Sequence, residues 1–191
     1  LAIRQGFDQY VCVRPSLLLP GIKSPLRDMG PGDIDFIVVR ENTEGEYTGA
    51  GGLAHRGFPY EVAVQTAVFT RVGVERIIRY AFELAKSRPR KILSSVTKSN
   101  AQAYVFGLWD EVVDRIASEY PEVKAERVLV DAMAARFVLR PESLDVVVGS
   151  NLFADILTDL GGAISGSLGM APSSNINPER RYPSMFEPVH G

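Results

Sequence analysis

The stretch from Leu144 to Leu160, LDVVVGSNLFADILTDL, decides the fold class because it contains both kinds of element in succession. Its first part is a run of valines, which is typical of a strand buried on both faces. Most of its second part has the apolar spacing of a helix that is buried on one side. A buried strand that leads directly into a helix is typical of an α/β protein, and the same alternation recurs along the chain.

Three further apolar runs predict strands, and each of them ends at a charged side chain. The runs are IDFIVVR, KILSSVTK and RVLVD, which end at Arg40, Lys98 and Asp131. In open α/β sheets the ligand crevice lies outside the carboxyl ends of the strands. We therefore expect these three residues to lie at one edge of the sheet, together with the turn at Asn151 and Asp155.

The regions between the strands are predicted to contain helices, an arm and long loops. Thr70 and Ser99 are each expected to cap a helix, because a hydroxyl at this position can accept a hydrogen bond from a first-turn amide. The glycine-rich region 42–68 ends in alternating residues that predict an irregular β-arm. Residues 161–191 are rich in Gly, Pro, Ser and Asn, so we expect them to be mostly loop.

The composition excludes several classes of function. The 191 residues are 46% hydrophobic and 23% charged, which is ordinary for a globular protein. A net charge of −2 creates no field that would attract nucleic acid, and no apolar run approaches the ~20 residues that cross a membrane. The single cysteine, Cys12, is typical of a reducing compartment. We expect a cytoplasmic protein with neither nucleic-acid nor membrane partners.

Two aspartates on the predicted helix are candidate metal ligands. Asp155 and Asp159 lie four residues apart, in one row with Asn151. Like charges at this spacing destabilise a helix by a few tenths of a kcal/mol. A divalent cation would reverse that effect, and sites rich in oxygen suit Mg²⁺ or Mn²⁺. The alternative is a solvated helix edge, which the spacing alone does not exclude.

Basic and phenolic side chains supply candidates for substrate binding and proton transfer. Arg4, Arg14 and Arg40 can each bind a carboxylate through two hydrogen bonds, so their convergence would indicate a substrate with two carboxylates. Lys98 is a candidate base at a strand end, and Tyr47 in the arm is a candidate proton donor. For each residue taken singly, a surface charge or simple packing is the alternative.

Seven motifs, in order along essentially the whole chain, resemble those of the β-decarboxylating hydroxyacid dehydrogenases. This family contains isocitrate, isopropylmalate, D-malate and tartrate dehydrogenases. The motifs are IRQGFDQYVCVRP, VVRENTEGEYTG, SVTKSN, VDAMAARFV, SNLFADILTDLGG, GSLGMAPSSN and FEPVHG. The segments DQY, SRPRK, TKSNAQ, VLRPESLD and NPERRYPSMFEPVHG are most similar to the tartrate/D-malate branch.

The resemblance implies an α/β fold like that of isopropylmalate dehydrogenase and about half of a subunit. This fold is not a Rossmann fold, in agreement with the absence of a GxGxxG motif. Residues 1–10 would end a helix of the first domain, and residues 166–191 would return into a truncated cofactor domain. Residues 11–165 would form the substrate, metal and dimerisation domain, with the protruding β-arm at about 42–68.

The resemblance also implies roles for the residues at the matching positions. Arg4, Arg14 and Arg40 would bind the substrate carboxylates, and Asp155 and Asp159 would hold Mn²⁺ or Mg²⁺. These roles agree with the chemistry of the side chains, but they come from the family rather than from spacing.

Further groups are implied to come from a partner subunit, the arm and the cofactor segment. Lys98 and Asp131 would reach the site from the other subunit of a homodimer, Lys98 acting in proton transfer and Asp131 as a catalytic group and a further metal ligand. Tyr47 would be the general acid. The implied cofactors are NAD, the divalent metal and a monovalent cation such as K⁺. The residues implied to contact NAD are Asn100, Glu187, His190 and Gly191.

The function implied by the family is a metal-dependent, NAD-linked oxidation of a 2-hydroxy dicarboxylic acid, with or without decarboxylation. The tartrate/D-malate branch implies tartrate or D-malate as the substrate, with 3-isopropylmalate or isocitrate as the alternative. A non-catalytic regulatory subunit of the same fold is the alternative from another class of function.

Overall fold

The computed structural model describes residues 2–166 and 168–189, which form a mixed sheet with helices and a separate two-stranded arm. The elements in chain order are α1 (Ala2–Gly6), β1 (Val11–Leu17), β2 (Asp35–Glu41), β3 (Gly45–Ala54), β4 (Val62–Val68), α2 (Arg71–Ser87), β5 (Ile92–Thr97), α3 (Ala103–Ala117), β6 (Lys124–Leu129), α4 (Val130–Leu139), β7 (Val146–Gly149), α5 (Asn151–Ile164), β8 (Pro172–Ile176) and β9 (Met185–Pro188). Short 3₁₀ turns lie at Pro141–Ser143 and Leu168–Met170.

The main sheet has seven strands in the order β6-β5-β7-β2-β1-β8-β9. The four strands β6, β5, β7 and β2 run parallel to one another, whereas β1 pairs antiparallel with β2 and β8, and β8 pairs antiparallel with β9. Parallel strands are buried on both faces, which explains the unbroken valine run of β7 and the buried centre of β2. The carboxyl ends of β5, β7 and β2 therefore meet at one edge of the sheet, as the sequence predicted for Lys98 and Arg40.

The long helices cover the sheet with their apolar faces. On α2 the residues Val74, Ile77, Ile78 and Ala81 are fully buried, and α2 packs against α3 and the central strands. Helix α5 packs against α4 and against β1, β2 and β7. The predicted helix cap at Thr70 is confirmed, because its hydroxyl accepts a hydrogen bond from the Gly73 amide at 3.0 Å.

The predicted cap at Ser99 is wrong. Helix α3 begins after Gln102, whose side chain makes no cap hydrogen bond. The carbonyl of Lys98 instead accepts hydrogen bonds from the amides of Ala101 and Gln102, each at 2.9 Å. This tight turn separates the end of β5 from α3, so the helix starts several residues later than the hydroxyl of Ser99 suggested.

The structure corrects two other expectations about element boundaries. Strand β6 ends at Leu129 rather than at Asp131, and Asp131 lies just past the strand end, in the first turn of α4. An acidic side chain is favoured there because the helix N-terminus carries partial positive charge. The described part of residues 161–191 contains more regular structure than expected, since α5 continues to Ile164 and the short strands β8 and β9 follow, with turns and loops between them. Strand β8 forms by antiparallel pairing with β1, and its own composition gave no strand signal.

The β-arm predicted at 42–68 is confirmed as a hairpin of β3 and β4. The two strands pair antiparallel from Ala54 and Val62 back to Gly45 and Val68, with a register shift between Gly45 and Ala50. None of the helices within residues 2–166 and 168–189 has the length and apolar character needed to cross a membrane.

Candidate functional site

Three side chains from separate strands contact the carboxylate of Asp155 in the second turn of α5. Arg14 of β1 donates Nη1 to Oδ1 at 2.9 Å, and Arg40 of β2 donates Nη1 to the same oxygen. Tyr47 of the arm strand β3 donates its hydroxyl to Oδ2 at 3.1 Å. The structure thus brings together four residues that the sequence and the family resemblance had singled out.

Helix α5 is held in place by a carboxylate from the arm that the sequence analysis missed. Ser150 caps α5, and its hydroxyl donates to Glu46 Oε1 at 2.7 Å. The amide of Leu152 donates to Glu46 Oε2 at 3.1 Å. A negative charge is favourable at a helix N-terminus. Glu46 and Ser150 are 104 positions apart, so no local sequence pattern could have linked them.

Two neutral residues of α5 orient the arginines. The sequence analysis placed Asn151 at this edge of the sheet without giving it a role, and it did not identify Thr158. Asn151 Oδ1 accepts hydrogen bonds from Arg40 Nε at 3.0 Å and from Nη2 at 2.7 Å. Thr158 Oγ1 accepts one from Arg14 Nη1 at 2.7 Å. The spacing of residues 151, 155 and 158 places them on one helical face. That spacing was the available signal, but it gains meaning only once the arginines are known to face the helix.

The site combines buried positive charge with an ionised carboxylate. Burial and the charge of Arg14 lower the pKa of Arg40, and the attraction of Asp155 offsets this only in part. Burial alone would raise the pKa of Asp155, but Arg40, Arg14 and the hydroxyl of Tyr47 hold it below its usual range. Since arginine stays protonated in proteins, Asp155 faces two cations at neutral pH.

Tyr47 is a protonated phenol beside this charge cluster. Burial, followed by the charge of Asp155 and their hydrogen bond, raises the pKa of Tyr47 above its ordinary value. The guanidinium of Arg40 also lies over the Tyr47 ring, 5.5 Å from its centroid. The phenol therefore keeps its proton at neutral pH and is available as a proton donor.

Arg4 does not contact Asp155, so the direct convergence involves two of the three predicted arginines. Its guanidinium donates to Asn42 Oδ1 at 3.4 Å and to Glu187 Oε1 at 3.3 Å. Its charge nevertheless lowers the pKa of Arg40, after burial and the larger effect of Arg14. Arg4 therefore contributes positive charge to the site from its periphery.

Lys98 and Asp131 form a second group at the carboxyl end of β5. Lys98 Nζ lies 2.5 Å from Asp131 Oδ1, and this hydrogen bond lowers the pKa of the exposed Asp131 carboxyl. In the sheet, β7 lies between β5 and β2, the strand that carries Arg40. Within the described residues, no three His, Cys, Asp or Glu side chains form a group that could hold a metal ion. A single chain thus does not gather Asp131, Asp155 and Asp159 into one cluster.

The predicted cofactor residues are spread along the sheet. Asn100 is exposed in the turn after β5, whereas Glu187 lies on β9 at the far edge and accepts hydrogen bonds from Arg4 and Asn175. His190 and Gly191 lie outside the described residues.

The fold is a mixed α/β sheet, and its candidate site joins arginines of β1 and β2 to an ionised carboxylate of α5 and a phenol of the arm. The model of the isocitrate/isopropylmalate dehydrogenase family matches residues 1–191, and the chain belongs to that family. The resemblance drawn from the seven motifs is therefore confirmed.

Individual relatives support both the family and the fold. The chain is 61% identical over 191 residues to a probable tartrate dehydrogenase/decarboxylase of Agrobacterium vitis, covering all of the chain and 53% of the relative. It is 58% identical to the decarboxylating D-malate dehydrogenase of Escherichia coli, with 100% and 53% covered. The structure of isocitrate dehydrogenase from Methylococcus capsulatus matches with a TM-score of 0.88 and 36% identity, with 100% and 54% covered.

These similarities confirm the predicted likeness to the tartrate/D-malate branch and the isopropylmalate-dehydrogenase-like fold. The chain spans about half the length of the curated relatives it matches.

Proposed function

We propose that this chain is the substrate-binding half of an NAD-linked dehydrogenase that oxidises tartrate or D-malate, with or without decarboxylation. The observation that carries the proposal is the convergence of Arg14, Arg40 and Tyr47 on the ionised carboxylate of Asp155. The names of the relatives at 61% and 58% identity support the choice of substrate.

The donor chemistry of α5 fits a hard divalent cation. Asp155 is ionised, because its arginine neighbours hold its pKa low, and Asp159 lies one turn further along the same helix. Carboxylate oxygens are the protein ligands that Mg²⁺ and Mn²⁺ prefer. Asp155 and Asp159 of one subunit and Asp131 of another would hold the ion, which would supply Lewis-acid stabilisation of developing negative charge.

The proposed chemical roles of this chain's residues follow from their charge and protonation. Arg14 and Arg40 exchange part of their contact with Asp155 for the substrate carboxylates, which guanidinium groups bind through two hydrogen bonds. Lys98 is ion-paired with Asp131, and once its own proton has passed to solvent, its neutral amine accepts the proton of the substrate hydroxyl. Tyr47 keeps its proton at neutral pH and donates it to the carbon left by decarboxylation.

The oxidation also requires NAD and the residues that are proposed to contact it. Asn100, Glu187, His190 and Gly191 would contact NAD, which when bound would supply the hydride acceptor for oxidation of the hydroxyl-bearing carbon. We also propose a cytoplasmic protein, because Cys12 is free and buried, which fits a reducing compartment.

We further propose that the active protein is a homodimer with shared sites. Lys98 and Asp131 lie apart from the Asp155 group within one chain, so a second chain is the natural source of the missing groups. Large apolar side chains on the arm and on α5 are exposed and would be covered by a partner. They include Leu53, Phe58, Tyr60, Val64 and Ile156.

Turnover of four acids tests the proposal. Full-length polypeptide, of the length found in the relatives, is assayed with D-malate, tartrate, 3-isopropylmalate and isocitrate, using NAD⁺ and Mn²⁺. We expect reduction of NAD⁺ with D-malate or tartrate. Comparing the rate of NAD⁺ reduction in KCl with that in NaCl tests the requirement for a monovalent cation such as K⁺. Activity on isopropylmalate or isocitrate alone would contradict the substrate assignment. Failure with all four acids would favour a regulatory subunit.

A further inference from the structure

Four side chains from separate parts of the chain form a closed ring of hydrogen bonds next to the arginine site. Arg4 Nη1 donates to Asn42 Oδ1 at 3.4 Å, and Asn42 Nδ2 donates to Asn175 Oδ1 at 2.9 Å. Asn175 Nδ2 donates to Glu187 Oε1 at 3.1 Å, which also accepts from Arg4 Nη2 at 3.3 Å. The ring links α1, the residue after β2, β8 and β9.

The two charged members of the ring, Arg4 and Glu187, fix the direction of every hydrogen bond in it. A guanidinium can only donate and a carboxylate can only accept, so the two amides between Arg4 and Glu187 must align head to tail. Asn42 and Asn175 are fully buried. The second amide hydrogen of Asn42 goes to the carbonyl of Gln9 at 2.9 Å, so neither of its N–H groups is left over. Removing one amide leaves buried partners unpaired, which weakens the whole ring.

The position of the ring matters because Arg4 belongs to the proposed substrate-binding part of the site and Glu187 to the proposed cofactor-binding part. Arg4 contributes positive charge near Arg40, and Asn42 lies two residues after Arg40. Glu187 belongs to the segment that is proposed to contact NAD. Asn42 is hydrogen-bonded to Arg4, Asn175 to Glu187, and the two asparagines to each other. Their side chains make no hydrogen bond to Asp155, Arg14 or Arg40 within the described residues.

We propose that Asn42 and Asn175 are positioning residues that hold Arg4 and Glu187 in fixed relation and so couple the affinity for the hydroxy acid to that for NAD. The proposal rests on the proposed function, in which Arg4 binds a substrate carboxylate and Glu187 contacts the cofactor. A ring that only braced the fold would affect stability and leave both affinities unchanged.

Asn177 provides a matched control two residues further along the chain. It is 3% exposed, compared with 0% for Asn175. Its side chain donates to the carbonyl of Asp8 at 3.0 Å and accepts from the amide of Arg181 at 3.1 Å, so it is buried and hydrogen-bonded outside the ring. Asn177→Ala should therefore destabilise the protein because it also removes the hydrogen bonds of a buried amide, but it should not move Arg4 or Glu187.

Steady-state kinetics of the full-length polypeptide separate these two roles. We expect Asn175→Ala to raise KM for the hydroxy acid and for NAD⁺, each by about five-fold or more, with a smaller change in kcat. Asn177→Ala should lower Tm but leave both KM values within error of the unmodified protein. Should Asn175→Ala not fold, Asn175→Ser leaves a smaller gap at the same buried position and still removes the amide that joins Asn42 to Glu187, and the same two KM increases are expected.

The outcomes distinguish failure of this inference from failure of the proposed function. An active unmodified protein in which Asn175→Ala or Asn175→Ser changes Tm alone overturns the positioning role and leaves the proposed function standing. KM increases of the same size in Asn177→Ala also overturn it. An unmodified protein that oxidises none of the four hydroxy acids overturns the proposed function and, with it, the inference built on it.

Discussion

Asp155 partly compensates the positive charge of two arginines that are almost completely buried, since Arg14 and Arg40 are 5% and 3% exposed. Removing one partner of a fully buried ion pair costs about 3–5 kcal/mol, because the remaining charge is left without compensation. The Asp155 side chain is itself 34% exposed. We therefore expect Asp155→Asn, which keeps the shape and removes the charge, to lower the free energy of unfolding by about 2 kcal/mol. Urea unfolding of the full-length polypeptide measures the change.

Asp131→Asn is the control for that prediction. Asp131 also pairs with a basic side chain, Lys98, but its side chain is 64% exposed. Exposed ion pairs add little to stability because water screens both charges. An equally large loss in both variants would mean that burial of the two arginines is not what makes Asp155 important for stability.

The same carboxylate makes stability depend on pH in a defined direction. The pKa of Asp155 is lower in the folded protein than in the unfolded chain, so its stabilisation is present above the ordinary carboxyl pKa of about 4. As the pH falls through the folded pKa, the carboxylate takes up a proton and the stabilisation is lost. We expect the Tm of Asp155→Asn to lie below that of the unmodified protein by the same amount at pH 7 and at pH 5. Below about pH 4 this difference in Tm should become smaller. A difference that grows on acidification would contradict this assignment.

At the level of elements, the arm and α5 depend on each other through Glu46. The carboxylate accepts hydrogen bonds from the cap residue Ser150 and from the first-turn amide of Leu152. Glu46→Gln removes its charge from the helix N-terminus and one acceptor oxygen, so we expect a loss of about 1 kcal/mol. Hydrogen exchange at the first-turn amides of α5 should become faster. As a control, Glu61→Gln alters a carboxylate that accepts from Gly57 at the exposed arm tip, and it should leave exchange in α5 unchanged.

The elements that the sequence predicted are those whose pattern is set by their own residues. The apolar stripe of α2 and the valine run of β7 identify buried faces without reference to the rest of the chain. Strand β8, PSSNI, carries no such pattern, since its pairing with β1 depends on tertiary context. The turn at Lys98, which delays α3, depends likewise on backbone hydrogen bonds rather than on residue type.

The candidate site shows the same division between local and distant information. Strand ends identified Arg40 and Lys98 as residues of one sheet edge, because that rule follows from the architecture. Glu46 could not be found from local pattern, since it meets α5 from far away in sequence. Asn151 and Thr158 are neutral residues in a helix, and their role becomes visible only when Arg40 and Arg14 are seen to donate to them.

At the scale of the whole molecule, the proposed catalytic groups fall into two separate clusters. One contains Asp155 with Arg14, Arg40 and Tyr47, and the other contains Lys98. Closed homodimers place the same surface of each subunit against its copy, so one cluster of each chain can complete the other. The exposed apolar side chain of Ile156, next to Asp155 on α5, would lie in such an interface.

Hybrid dimers test this arrangement directly. Lys98→Ala and Asp155→Asn should each abolish turnover in a homodimer, because each removes a group from both sites. Co-expression of the two variants with different tags, followed by purification on both tags, gives dimers that contain one chain of each. If Lys98 acts in the site of its partner, one of the two sites in the hybrid retains every group, and we expect about half the activity of the unmodified dimer. If each chain instead builds its own site, both sites of the hybrid are damaged and it stays inactive. A doubly tagged dimer of Asp155→Asn alone controls for carry-over of unmodified protein and should show no turnover.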